Sequence, residues 1–408
     1  MRQCVITGIG IISPLGVGRE VFWEGLMDAG SGIRRITAFE TGHLASNVAG
    51  LVEDFDPSDF MPVRTYRRMS RISRMAVAAS LEAVEDSGLN LDDIGREKIA
   101  IIMGTAYGAS SYVNDFYNSL LRDGPRGAQP LYFPETVPNA PASHVAMIHG
   151  INGPNSTFCQ NEISAENAIL YAKNLIELGR CDAVLVGGGD EISSVQYECY
   201  SAVRALQKIK AGEGEKSIRV RGSGLVMGEG ACVLVMEGKD YAVNRGAGIY
   251  GSLKSCAITG GATQIGHYDS AGKEMKRAVL IASETAGMDL KEIDQIDVSS
   301  NFSGELDQME CDQLKSLFPD RMPGMRVTPL KYLTGDFGGA GTLRAAGILL
   351  SLKRQMSLPS INIDGLGGRH GDSPAWNHSS SCELKSTLMT SSTFGGGHAA
   401  LIFGEATT

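Results

Sequence analysis

The sequence predicts an α/β fold made of two similar halves. Three observations carry this expectation. Short apolar, largely β-branched runs flanked by glycine recur along the chain. Segments with apolar residues at helical spacing lie between them. One order of parts, a strand, a glycine-rich turn, a long helix and a strand, occurs in each half of the 408 residues.

The apolar runs are Cys4 to Ile9, Ile99 to Met103, Ala183 to Val186, Cys232 to Met236, Ile293 to Val298 and Ala400 to Phe403. They lack strict alternation, as strands covered on both faces do. A helical stripe of Ile72, Met75, Ala76, Ala79, Leu81 and Ala83 runs to Asp86, and Gly88 stops it. Comparable stripes cover Glu166 to Leu178, Lys273 to Ala286 and Gly341 to Gln355. The polar, glycine-bounded stretch Gly238 to Ala247 marks the junction and divides the chain into halves 1–240 and 241–408. From Gly104 to Ala142 the periodicity lapses over a segment with five prolines and several aromatics; such a long excursion reads as an interface or a pocket wall.

Composition narrows the function classes. Hydrophobic residues make up 43%, charged residues 20%, and there are 51 glycines, which describes a compact chain with many tight turns and not a disordered one. The net charge of -9 argues against nucleic acid as a main partner, because phosphate binding needs a dominating basic field. No apolar run approaches the roughly 18 residues that span a bilayer, so no membrane partner is expected. The N-terminus passes from Met1-Arg2-Gln3 into a strand without a secretion signal. Eight scattered cysteines form no C-x-x-C pair to complete a metal site with His144 and His149. They read as reduced, mostly buried thiols of a cytoplasmic protein, with neither metal nor cofactor expected.

Several longer motifs are more specific. The chain opens with Val5-Ile6-Thr7-Gly8-Ile9-Gly10-Ile11-Ile12-Ser13-Pro14-Leu15-Gly16, then Phe22-Trp23-Glu24-Gly25 and Ser31-Gly32-Ile33. Gly150-Ile151-Asn152-Gly153-Pro154, Asp182-Ala183-Val184-Leu185-Val186-Gly187-Gly188-Gly189 and Met227-Gly228-Glu229-Gly230-Ala231 follow. Lys331-Tyr332-Leu333-Thr334-Gly335 and Phe394-Gly395-Gly396-Gly397 complete the series. In this order, over nearly its whole length, the chain resembles the β-ketoacyl synthases of fatty-acid and polyketide assembly, and within them the synthase II type. The resemblance implies a thiolase-like five-layer αβαβα fold whose subunits pair through their N-terminal halves. It places the excursion at about 104–142 at that interface.

The resemblance also implies chemistry. Active members hold a Cys at the N-terminus of a buried helix, which favours the thiolate, and two His that serve decarboxylation and stabilise the thioester oxyanion. Aligned residue by residue, the nucleophile position is Glu162, within Gly153-Pro154-Asn155-Ser156-Thr157-Phe158-Cys159-Gln160-Asn161-Glu162-Ile163-Ser164. The first His position is Ser299 and the second is Asp336, while the Lys of the same constellation is retained as Lys331. None of the seven histidines falls on these positions; His398, in the C-terminal glycine motif, reads as a structural hydrogen-bonding residue. Cys159, three residues before Glu162, reads as a small residue of a buried strand. No catalytic residue is expected, and Lys331 or the helix N–H groups after Glu162 are the expected partners of its carboxylate.

The resemblance is nearest to the chain length factors of type II polyketide synthases: noncondensing subunits that pair with an active ketosynthase and shape the tunnel for the growing chain. Tyr112, Phe116, Tyr117, Leu120, Phe133 and Phe394 are then tunnel or gate candidates. Arg64, Arg67, Arg68 and Arg126 are candidates for docking an acidic acyl carrier protein. Two other readings stay open: a decarboxylase or hydrolase of acyl-carrier thioesters using Glu162 and Asp336 as an acid–base pair, and a homodimeric scaffold that binds acyl carriers.

Overall fold

The computed structural model describes residues 2–207, 224–264, 266–366 and 375–406. The N-terminal half contributes strands β1 (Cys4–Ser13), β2 (Ile99–Gly104), β3 (Asn155–Phe158), β4 (Ala183–Asp190) and β5 (Gly230–Gly238). The C-terminal half contributes β6 (Gly251–Gly260), β7 (Gln295–Asp297), β8 (Arg326–Thr328), β9 (Ser386–Thr393) and β10 (Gly397–Gly404). Their order is β8-β7-β9-β10-β6-β1-β5-β4-β2-β3. Within these ten strands each half runs through three parallel strands followed by two antiparallel ones, so the two halves share this core topology; the C-terminal half adds two short antiparallel strands, Ser360–Ile361 and Trp376–Asn377, outside β8. The halves join where Cys4–Ile6 pairs with Gly251–Leu253.

Helices make the other layers. α1 (Arg71–Ser87) covers the outer face of β1 and β5, beside α3 (Ala140–His149). α5 (Lys273–Ala286) covers β6 and β10, with α6 (Gly304–Leu317) beside it. α4 (Ser164–Glu177) and α7 (Ala340–Arg354) lie between the two sheet halves and touch each other. This is the expected five-layer arrangement. Residues Ala340 to Leu352 of α7 are buried all round, as the central position requires. The close approach needs glycine: a Cβ on Gly339, just before α7, would lie 2.1 Å from the backbone N of Gly189 in β4.

The helix ends expected at Gly88 and for Lys273 to Ala286 match the structure, Gly88 adopting the left-handed cap at φ 59. Two expectations are corrected. The excursion is not wholly irregular: α2 (Ser110–Asp123) runs through it. Its apolar side chains, Tyr112, Val113, Phe116, Tyr117, Leu120 and Leu121, recur at helical spacing but are half-buried or exposed. The cysteines are not mostly buried either; Cys4, Cys181, Cys232 and Cys311 are, but Cys159 and Cys199 are exposed. Cys159 follows β3, which pairs only with β2 and forms an edge of the sheet.

Candidate functional site

β3 ends at Phe158, and the chain turns through Asn161 at φ 48, a left-handed conformation that Asn tolerates, before α4 starts at Ser164. The Ser164 hydroxyl accepts from Gln160 N–H (2.8 Å) and donates to the Asn161 carbonyl (2.7 Å), which fixes the turn. Glu162 is thereby set beside the start of α4 with 3% of its surface exposed.

Its partners differ from those expected. Lys331 makes its ion pair with Asp336 (2.7 Å), and the first N–H groups of α4 go to backbone, Ser164 to Asn161 (3.2 Å) and Ala165 to Gly338 (3.0 Å). Glu162 is held instead by Thr393 and by Phe394 N–H (3.4 Å) on one oxygen, and by the Tyr200 hydroxyl (3.2 Å) on the other. Burial pushes its carboxyl above the ordinary range, and the nearby Asp336 charge adds to this; Thr393 and, more weakly, Lys331 pull it back.

The four aligned positions do come together. Lys331 donates to the Ser299 hydroxyl (3.3 Å), which also accepts from Ser392 N–H (3.0 Å). The second Asp336 oxygen accepts from the Asn301 amide (2.7 Å), which donates to the Tyr268 hydroxyl as well (2.8 Å). Behind them Arg344 of α7 binds Asp297 (2.5 Å), the Ser391 hydroxyl (2.7 Å) and the Thr390 carbonyl (2.7 Å), and lies 3.8 Å from Glu166. Lys331 and Arg344 are thus set among six buried carboxylates, Glu162, Glu166, Asp297, Asp307, Glu310 and Asp336. Burial in this carboxylate-rich interior raises Asp297 to about 6 and Asp307 to about 7, and raises Glu166 and Glu310.

Between Glu162 and Asp336 the structure leaves a cavity of about 20 Å³, room for about one water molecule. Tyr107, Asp190, Glu191, Gln196, Tyr200 and Phe337 contribute to its wall. Phe394 packs at a tilt against Tyr268 (4.5 Å) and Tyr200 (6.1 Å), beside Glu162 but outside the cavity lining. Tyr112, Phe116, Tyr117, Leu120 and Phe133 do not line this cavity. They belong to the α2 surface, where Phe116 packs on Tyr117 (5.8 Å) and Phe133 (6.0 Å) and Tyr112 on Tyr132 (5.1 Å).

Arg64, Arg67, Arg68 and Arg126 are exposed. Arg71 and Arg74, beside them in sequence, are used internally, on Glu229 (2.7 Å) and over the Tyr66 ring (5.5 Å). His398 meets the Ser392 hydroxyl at 2.8 Å, a structural contact. His144 contacts Glu135, and His149 meets the Ser80 hydroxyl at 2.9 Å. Tyr200, Tyr268, Asn301, Thr393 and Arg344 were not singled out in the sequence; only Asn301 and Thr393 carried a signal, by adjoining the motifs around Ser299 and Phe394.

Comparison with known proteins agrees with this architecture. Residues 1–242 match the N-terminal domain of β-ketoacyl synthases and residues 250–364 the C-terminal domain. The 3-oxoacyl-[acyl-carrier-protein] synthase 2 of Staphylococcus aureus (strain N315) is 28% identical over 405 residues, 98% of each chain. The solved ishigamide ketosynthase/chain length factor has a TM-score of 0.87 at 26% identity, covering 100% of both chains. A ketosynthase in complex with its chain length factor from Xenorhabdus doucetiae shares the fold, with a TM-score of 0.78 at 22% identity over 99% of this chain and 98% of that one. No described helix is long and apolar enough to cross a membrane. With both family domains matched in order along the repeated α/β halves, the chain belongs to the β-ketoacyl synthase family.

Proposed function

We propose that this chain is a chain length factor: a noncondensing, cytoplasmic subunit that pairs with an active ketosynthase in type II polyketide or polyene-like assembly. In this reading residues 1–240 supply the dimerising half and 241–408 complete the fold. One observation carries the proposal. The group at the start of α4 is the Glu162 carboxylate, and the polar side chains lining the cavity beside it are carboxylates, phenols and an amide, with no thiol or imidazole among the described lining residues. A carboxylate that attacked a carrier thioester would form a mixed anhydride, uphill from the thioester, so the thiol that stores the acyl group during condensation has no equivalent here.

The surface supports partnership. Leu121, Phe133 and Met147 are exposed by 82%, 61% and 66%, the first two on the excursion and the third on α3, which packs against the edge strand β3. Exposed apolar area beside an unpaired strand edge is a surface that a partner covers. Arg64, Arg67, Arg68 and Arg126 suit docking of an acidic carrier protein. Both candidate catalytic carboxylates are occupied, Asp336 by Lys331 and Asn301, Glu162 by Thr393 and Tyr200, which favours partnership over an acid–base pair.

Co-expression with a ketosynthase that carries the intact Cys-His-His set, followed by size-exclusion chromatography, tests the proposal. Co-elution as a heterodimer is expected, with condensation abolished by replacing the partner's Cys and retained in Glu162→Gln. A chain that never co-elutes, or releases carbon dioxide from malonyl-carrier protein alone, sinks it.

A further inference from the structure

We propose that Glu162 is a latch that keeps acyl-pantetheine thioesters out of this subunit by tying an aromatic lid across its two halves. The ligand excluded follows from the function proposed above; the latch itself rests on geometry alone.

The lid has two sides. One is the Thr393–Phe394 turn of the C-terminal half, which ends β9 and runs into Gly395 and Gly396 at φ 86 and 88. The other is the helix Ser194–Ala202 of the N-terminal half, which carries Tyr200. Glu162 reaches both, one oxygen taking Thr393 and Phe394 N–H, the other taking the Tyr200 hydroxyl. Around this link the rings of Tyr268, Phe394, Tyr200 and Tyr107 follow one another at 4.5, 6.1 and 6.1 Å, from the buried interior to Tyr107, 37% exposed. The Tyr107 hydroxyl donates to that of Tyr200 (2.8 Å), so the column is hydrogen-bonded as well as packed.

A second observation points to what the closed lid keeps out. Gln196, on the same helix as Tyr200, lines the cavity with 5% exposure, and neither side-chain amide atom has a hydrogen-bond partner among the described residues. A buried amide with both its donor and acceptor unused costs free energy. It matches a ligand that itself carries amides, and the pantetheine arm of an acyl carrier has two. As it stands, a cavity of about 20 Å³ admits no such arm. With the tie removed, the double glycine lets Phe394 swing and Tyr200 loses its inner anchor, which opens the space in front of Gln196.

The test uses the purified full-length chain and S-octanoyl-pantetheine as the probe, with binding read by calorimetry. Wild type and Glu162→Gln, which retains hydrogen-bonding atoms on both sides, are expected to show no saturable binding. Glu162→Ala and Phe394→Ala are expected to gain about tenfold or more in affinity, the scale of one or two hydrogen bonds that hold the closed state. Amide exchange at 393–396 is expected to quicken in Glu162→Ala. Wild type that binds the probe as tightly as the variants overturns the proposal, as does a folded Glu162→Ala with no gain. Where Glu162→Ala does not fold, Phe394→Ala carries the test alone, and its failure to bind overturns the latch. Partner co-elution is a separate assay, so failure of the chain-length-factor reading would leave this result standing.

Discussion

Lys331 and Asp336 are fully buried at 2.7 Å, and neither has water to fall back on. Replacing Lys331 with Met strands the Asp336 carboxylate in a low-dielectric interior. The expected cost is about 3–5 kcal/mol in urea unfolding, and the double change Lys331→Met with Asp336→Leu is expected to recover much of it. Equal stability of the two variants would show that Asp336 does not depend on Lys331. The motifs made Glu162, Ser299, Lys331 and Asp336 legible, but gave Glu162 the wrong partners. Thr393 and Tyr200 lie 231 and 38 positions from it, and Asn301 lies 35 from Asp336, separations over which motif spacing says nothing.

At the scale of elements, β9 went unrecognised although all eight of its residues are buried. Its Ser- and Thr-rich sequence looks like a loop until its partners are known. Thr390 then donates to Glu310 (2.7 Å), Ser391 accepts from Arg344 (2.7 Å) and Ser392 meets His398 (2.8 Å), so the hydroxyls are satisfied inside. Helix α2 was missed although Tyr112, Val113, Phe116, Tyr117, Leu120 and Leu121 recur at helical spacing, because the prolines that follow it make the whole stretch read as irregular; these side chains are half-buried or exposed. Leu121→Glu on α2 is therefore expected to change stability by no more than about 0.5 kcal/mol, while abolishing co-elution with the ketosynthase. Thermal melts beside size-exclusion chromatography separate the two effects. Gly339→Ala is expected to act inversely. Its Cβ would sit 2.1 Å from Gly189 N, so α7 or β4 must shift. Overpacking of this kind costs about 1–3 kcal/mol or more, measurable as a lowered unfolding midpoint.

Across the whole molecule, the buried carboxylates couple stability to pH. Asp190 and Asp297 are raised to about 6 and Asp307 to about 7, and Glu162, Glu166 and Glu310 are raised as well, against about 4 for carboxyls in an unfolded chain. Between those values the folded chain binds more protons than the unfolded one, so stability contributed by these groups is lost as pH rises through the window. Melting temperature is expected to be higher at pH 5.5 than at pH 7.5, and Asp307→Asn is expected to flatten the upper part of that slope. A melting temperature that climbs steadily across the window would contradict this protonation pattern. Glu135, lowered to about 2 through its contacts with His144 and Ser70, acts in the other direction and weakens the fold only in stronger acid.

The repeated strand–helix order follows from glycine spacing and apolar periodicity, each confined to neighbouring residues, while the thiolase-like layers and the alignment of Glu162 with a thiol position follow from the family resemblance that the short motifs carry. Which charge pairs with which, and whether the pocket stays open, were decided only when strands far apart in sequence met. Electrostatics in a dry interior turns on separations of a few ångströms. Those ångströms gave Lys331 to Asp336 and left Glu162 bound between Thr393 and Tyr200.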